Sequence, residues 1–137
     1  MSLDNIIKNK IIKNNPIPFS EFMNLALYYP DLGYYTSSKE KISANGDFIT
    51  ATSQTSIFAT TIAQVFAESI KELGDHTSII EFGAGTGRFA VDSISELQIL
   101  NVLPFKYIIV ELSNDLKLRQ QKYIKENIPD LFSKFEW

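Results

Sequence analysis

No cysteine occurs among the 137 residues. Disulfides, thiolate metal ligands and a cysteine nucleophile are therefore excluded. Histidine is almost as scarce. The single His76 follows Gly74-Asp75 in a turn, where an imidazole is ordinarily solvated, so no metal site is expected. Long apolar runs are lacking too: none approaches the roughly 20 residues that span a bilayer, so no membrane partner is expected. An excess of positive charge is also missing. Lys and Arg number 13 against 16 Asp and Glu, giving a net charge of −3. Without a basic field to hold a phosphate backbone, no nucleic-acid partner is expected. The first residues carry Lys8, Lys10 and Lys13 but no arginine, and Asp4 lies among them. Their apolar runs are two residues long, unlike a secretory or transit segment, and a cytoplasmic location is the expectation.

What is present is ordinary globular composition, with 45% apolar and 21% charged residues. Ile6, Ile7, Ile11 and Ile12 recur at helical spacing and predict a short amphipathic helix ending before Asn15-Pro16. A second helix opens at Pro18-Phe19-Ser20, with Ser20 as its N-cap, Glu21 in the first turn and Phe22, Leu25, Ala26 and Tyr29 as its buried stripe. Pro30-Asp31-Leu32-Gly33 ends it. Residues 34–44 read as loop and Asn45-Gly46-Asp47 as a tight turn before Phe48-Ile49. Residues 56–73 are strongly helical, with Ile57, Phe58, Thr61, Ile62, Val65, Phe66, Ile70 and Leu73 on one face and Gly74 as the stop.

From residue 78 the pattern changes. Ser78-Ile79-Ile80-Glu81-Phe82 reads as a strand and residues 83–87 as a glycine-rich turn. A helix follows over 88–100 with Ala90, Val91, Ile94 and Leu97 inward. Tyr107-Ile108-Ile109-Val110 is a buried strand, and a helix over 116–126 is stopped by Pro129. Strand, turn, helix, strand, helix is a βαβα unit, which predicts an α/β fold with a parallel sheet and right-handed crossovers.

The chemistry is concentrated in Glu81-Phe82-Gly83-Ala84-Gly85-Thr86-Gly87. Glycines let a chain turn sharply and let a ligand approach the backbone, and the helix start beyond supplies free N–H groups. A dinucleotide site spaces its glycines Gly-x-Gly-x-x-Gly to hold a pyrophosphate. Here the spacing is Gly-x-Gly-x-Gly, and Arg88 occupies the third dinucleotide position. S-adenosylmethionine (SAM) carries no phosphate. Its amino-acid end needs an acceptor for an ammonium, which Glu81 can supply. Glu111 lies at the end of the next strand, 24 residues after Gly87. A carboxylate there can accept from two neighbouring ribose hydroxyls, as the acid of the dinucleotide fold does. Glu111 therefore argues for a nucleoside cofactor, and the glycine spacing favours SAM over NAD. An NAD-binding module is the weaker alternative.

Four segments carry a resemblance to a known family. Phe22-Met23-Asn24-Leu25-Ala26-Leu27-Tyr28-Tyr29-Pro30-Asp31-Leu32-Gly33-Tyr34-Tyr35, Gly46-Asp47-Phe48-Ile49-Thr50, the run from Glu81 to Gly87, and Glu111-Leu112-Ser113 with Leu116 and Gln120 follow in order. Together they resemble the MidA-like (DUF185) SAM-dependent methyltransferases, a group that includes the mitochondrial factor methylating an arginine of a respiratory complex I subunit. The departures are Ala51-Thr52-Ser53 where the family carries Pro-Glu, Ala84 and Thr86 where it carries Pro and Arg, and Ala59-Thr60 where it carries Gly-Glu.

The resemblance implies a Rossmann-like class I SAM-dependent methyltransferase fold, with Glu81, Gly83, Gly85, Gly87 and Glu111 binding the cofactor and Asp47 as the catalytic candidate. The competing reading of Asp47 is a turn residue after Gly46. The implied methyl acceptor is a protein arginine. Family members run to well over twice this length, so the expected fold is truncated to its first βαβα unit plus N-terminal helices. Residues 1–55 would form the helices and loop, and residues 56–137 the first half of the SAM-binding domain. The fourth to seventh strands of such a sheet are expected to be absent. The alternative function is thus an inactive fragment or split-gene half, which self-associates or needs a second chain to supply those strands.

Overall fold

The structure, a computed structural model, describes residues 2–14, 16–37 and 50–137. The chain divides into two compact units, Met1–Lys39 with Leu112–Asp115, and Glu40–Glu111 with Leu116–Trp137.

The first unit contains helices α1 (Leu3–Asn14) and α2 (Phe19–Tyr28). Helix α2 starts two residues earlier than its sequence suggests. Its N-cap is Pro18, which makes no side-chain cap, so Ser20 is not the cap but lies inside the first turn. Proline suits this entry because the first N–H groups of a helix have no intrahelical partner. The stripe expected to be buried is not: no residue of α2 is fully buried, and Phe22 is exposed. The end of α2 is closed by the chain folding back beneath it. The N–H groups of Gly33, Tyr34 and Tyr35 donate to the carbonyls of Tyr29, Ala26 and Leu27, each at 2.8 Å. Gly33 is required there, since a Cβ would stand 2.5 Å from the Tyr29 nitrogen and 2.7 Å from the Leu27 oxygen. The Ser113 hydroxyl donates to the Tyr35 carbonyl at 2.7 Å and holds the turn.

The second unit holds α3 (Ala51–Gln54), α4 (Ile57–Leu73), β1 (Ile79–Phe82), α5 (Arg88–Ile99), β2 (Tyr107–Val110), α6 (Asn114–Asn127), a 3-10 turn (Pro129–Lys134) and β3 (Phe135–Glu136). The three strands are parallel in the order β1-β2-β3. Ile79 pairs with Tyr107 and Tyr107 with Phe135. The parallel sheet and crossover helices expected from the alternation are therefore present, and a short third strand, β3, joins β2 at Phe135–Glu136.

The buried face of α5 is the predicted one, with Ala90, Val91, Ile94 and Leu97 all inside. The face of α4 is the predicted one only at Ile70. Its buried residues are Ala59, Ala63, Ala67 and Ile70, while Ile57, Phe58, Val65 and Leu73 are exposed. Small side chains let α4 lie close against α5, and the larger residues are displaced to the flanks of that contact. Gly74 ends the helix with φ of 95°, its N–H donating to the Ile70 carbonyl. The core gathers Ala63, Ala67, Ile70, Ile79, Ala90, Val91, Ile94, Leu97, Tyr107, Ile109, Ile124, Leu131 and Phe135. The opposite sheet face is open: Ile80 is 57% exposed, Phe82 79% and Val110 42%. Among the described residues β1 pairs on one edge only. No helix among them is long and apolar enough to cross a membrane.

Candidate functional site

The link from β1 to α5 is the glycine turn. Gly83, Gly85 and Gly87 have φ of 68°, 55° and 83°, a left-handed region that costs a side-chain-bearing residue free energy. Gly87 is also the N-cap of α5, so the first N–H groups of that helix stand at the turn. Above the turn lies a cavity of about 370 Å³ lined by Thr50, Thr52, Phe58, Glu81, Gly83, Ala84, Gly85, Thr86 and Phe89. That volume is in the range of small-molecule sites. Its walls differ in character: the Phe58 and Phe89 rings stand 5.8 Å apart, and the Thr50 and Thr52 hydroxyls share a hydrogen bond of 2.8 Å.

Glu81 is the only ionisable residue among those lining residues. It points to the same sheet face as Tyr107, whose hydroxyl donates to Glu81 Oε2 at 3.0 Å. Burial pushes the Glu81 carboxyl up to about 7, against a smaller opposing effect of the Tyr107 bond. Burial, and then the neighbouring Glu81 charge, hold the Tyr107 hydroxyl above its ordinary range. Glu81 is thus poised between its neutral and charged forms near pH 7, and a cation arriving in the cavity would complete its ionisation.

The structure brings Glu81, Gly83 and Gly85 together at one cavity wall. Gly87 and Glu111 are not in that lining. Glu111 follows the last residue of β2, and its Oε2 accepts from Gln120 Nε2 at 3.0 Å. The same amide nitrogen donates to the Gly85 carbonyl at 3.1 Å. A Cβ on Gly87 would stand 3.5 Å from the Gln120 Cα. Glu111 is therefore tied to the glycine turn through one side chain. Asp47 lies outside the described residues, as do Gly46, Phe48 and Ile49 of its motif. Among the described residues no cluster of His, Cys, Asp and Glu could hold a metal ion. His76 is exposed, its ring edge-on to Phe105 at 5.5 Å.

Reading the sequence did not single out Thr52, Phe58 or Phe89 as lining, nor Tyr107 and Gln120 as partners of the two acids. The signal for Gln120 was its register. It falls between Leu116 and Ile124 at spacings of four, on the inward face of α6, where a polar residue needs a partner.

A cavity over a Gly-x-Gly-x-Gly turn, with one acid inside and another at the next strand end, fits the proteins that this chain resembles. The family described as "Putative S-adenosyl-L-methionine-dependent methyltransferase" matches residues 61–137, more than half of the chain. The chain is 27% identical over 135 residues to the mitochondrial protein arginine methyltransferase NDUFAF7 homolog of Drosophila melanogaster. It is 29% identical over 127 residues to protein arginine methyltransferase NDUFAF7 of Danio rerio. These matches cover 94% and 88% of this chain but only 31% and 30% of the relatives. The chain therefore spans about a third of their length. A COG1565 superfamily member from Burkholderia thailandensis, bound to S-adenosyl-homocysteine, superposes with a TM-score of 0.89 at 33% identity, over 98% of this chain and 36% of that one. A native structure of a COG1565 superfamily protein from the same organism gives 0.81 at 34% identity, over 98% and 34%. The fold is the first three strands of a Rossmann-like methyltransferase sheet, and the chain belongs to the MidA-like family of SAM-dependent methyltransferases.

Proposed function

We propose that the chain binds SAM at the β1–α5 turn and serves transfer of its methyl group to an arginine of a protein. The carrying observation is Glu81, a half-buried carboxylate inside a cavity whose floor is the glycine turn. SAM supplies a methyl group activated on a sulfonium. Glu81 would accept from its ammonium, giving up any proton it holds as that cation arrives. The backbone at Gly83 and Gly85 would lie against the amino-acid portion, where no side chain intervenes. Glu111 would accept from the ribose hydroxyls. Phe58 and Phe89 supply apolar wall. Asp47 is proposed from its motif alone as a polar group toward the acceptor, since a carboxylate is what fixes a guanidinium fork. The arginine acceptor rests on the likeness to the protein arginine methyltransferases of Drosophila melanogaster and Danio rerio. Methyl transfer asks mainly for positioning, so the chain's contribution is to hold the donor in line.

Calorimetric titration of SAM and NAD into the purified chain tests this reading. SAM should bind and NAD should not. Binding of NAD alone would replace it with the dinucleotide reading, against which Arg88 now stands.

The edge of β1 that has no partner strand among the described residues, together with the exposed Ile80, Phe82 and Val110, favours a second, compatible reading, in which the chain works with further polypeptide or with its own copies. An unpaired parallel edge beside apolar side chains invites a strand. Light scattering with a radiolabelled-methyl assay separates the cases. A monomer transferring methyl groups at an ordinary enzymatic rate would remove the need for a partner.

A further inference from the structure

Gln120 is a buried polar side chain with all of its hydrogen-bonding groups engaged. Its Nε2 donates to the Gly85 carbonyl at 3.1 Å and to Glu111 Oε2 at 3.0 Å, and its Oε1 accepts from Trp137 Nε1 at 3.0 Å. The amide can be oriented only one way. An indole N–H is a donor alone, while a carbonyl and a carboxylate are acceptors alone, so the oxygen must face Trp137 and the nitrogen must face the other two. Trp137 is itself fixed by Phe132 and Phe135, with ring centroids 6.0 and 6.1 Å away. One side chain thus joins the second glycine of the turn, the acid after β2 and the residue following β3.

We infer that Gln120 is a positioning residue for cofactor binding, holding the Glu111 carboxylate and the Gly85 peptide in one fixed relation across the β1–β2 junction. This rests on the reading of the site given above. A carboxylate that must accept from two ribose hydroxyls is effective only in one rotamer. Glu111 sits just past the end of its strand, where the backbone alone does not fix the side chain. The Nε2 bond supplies that restraint, and the second Nε2 bond makes the turn and the acid move together. No other uncharged side chain of this length offers two N–H donors and an opposing acceptor in one plane. Methionine has the volume without the bonds. Glutamate has the shape but would set an acceptor against two acceptors.

A double-mutant cycle on SAM affinity, read by calorimetry, separates positioning from mere core packing. Gln120→Met should weaken SAM binding by about tenfold in the wild-type background. In a Glu111→Ala background the same change should cost only about two- to threefold, because one of the two groups it positions is gone while the Gly85 peptide remains. Gln120→Glu, which preserves shape, is carried through the same cycle and should likewise lose less in the Glu111→Ala background, where it faces one acceptor instead of two, so the test does not depend on one variant folding. Additive losses in the two backgrounds, or unchanged affinity in both variants, would overturn the inference. A wild-type chain that binds no SAM would overturn the function itself, and that result is read before any variant is made.

Discussion

The two faces of the small parallel sheet are almost equally apolar, and they have opposite fates. On one, Ile79, Tyr107, Ile109 and Phe135 are buried beneath α4, α5 and α6. On the other, Ile80, Phe82 and Val110 stand exposed. Neighbouring residues of a single strand, Glu81 and Phe82, show the contrast best: the charged one turns toward the helices and the aromatic one toward solvent. Hydrophobicity therefore does not by itself put a residue inside. A layer must be there to receive it, and parallel sheets ordinarily have one on each face. What the covered face gains is a low-dielectric setting at its open end, where Glu81 becomes chemically useful.

The largest effect expected from this contrast is on stability. Ile94→Ala removes a fully buried side chain under the covered face and should cost about 2–5 kcal/mol in urea unfolding. Phe82→Ala should change stability by no more than about 0.5 kcal/mol, as a surface change does. Comparable losses in the two variants would mean that the bare face is covered in solution.

Next in size is the acid beyond β2. Glu111→Ala should weaken SAM binding by about 1.5–3 kcal/mol, the value of hydrogen bonds to a charged group, and Glu111→Gln by less. Equal affinity of wild type and Glu111→Ala in a calorimetric titration would remove Glu111 from the site.

The third effect concerns pH. Glu81 is raised from 4.5 to about 7 in the folded chain, so between those values the folded state holds a proton that the unfolded state has released. Stability is then greatest below pH 4.5 as far as Glu81 is concerned, and falls as pH rises through about 7. Glu81→Gln keeps a partner for Tyr107 and should flatten that slope in denaturation curves taken across the interval. An unchanged slope would assign it to other groups.

The smallest effect on the fold, though a visible one on behaviour, is expected from Phe82→Ser. It should leave the unfolding midpoint in place while lowering the scattering of concentrated samples, because it interrupts the exposed apolar strip. Scattering identical to wild type would show that association uses another surface.

Much of this was legible in the sequence where local and tertiary demands agree. The inward face of α5, the extent of β2 and the glycine turn were all readable, because a strand followed by Gly-x-Gly-x-Gly admits few other conformations. Glu81, Gly83 and Gly85 could be placed in the same way. The face of α4 was misread because two stripes compete on that helix. Size favoured Ile57, Phe58 and Val65, but close helix packing selected Ala59, Ala63 and Ala67. Ser20 was misread as a cap because a serine before a helical run resembles one wherever it falls, whereas the cap position is held by Pro18 with no side-chain bond. Tyr107 and Gln120 were legible as buried positions, but their partners lie 26 and 35 residues away in Glu81 and Gly85, and no local pattern names them.

The strand register also carries a consequence for how the second unit is built over time. Ile79 pairs with Tyr107 and Tyr107 with Phe135, so each new strand arrives 28 residues after the one it joins. Every addition closes a loop of the same length, spanned by its own helix, and none waits for a distant segment. Emerging from a ribosome, the sheet can grow outward from β1 in the order of synthesis, each strand docking on one already in place. Sheets of parallel strands tend to assemble slowly because their pairings are remote in sequence. Constant short steps keep that separation as low as a parallel arrangement allows, and they favour rapid, sequential folding.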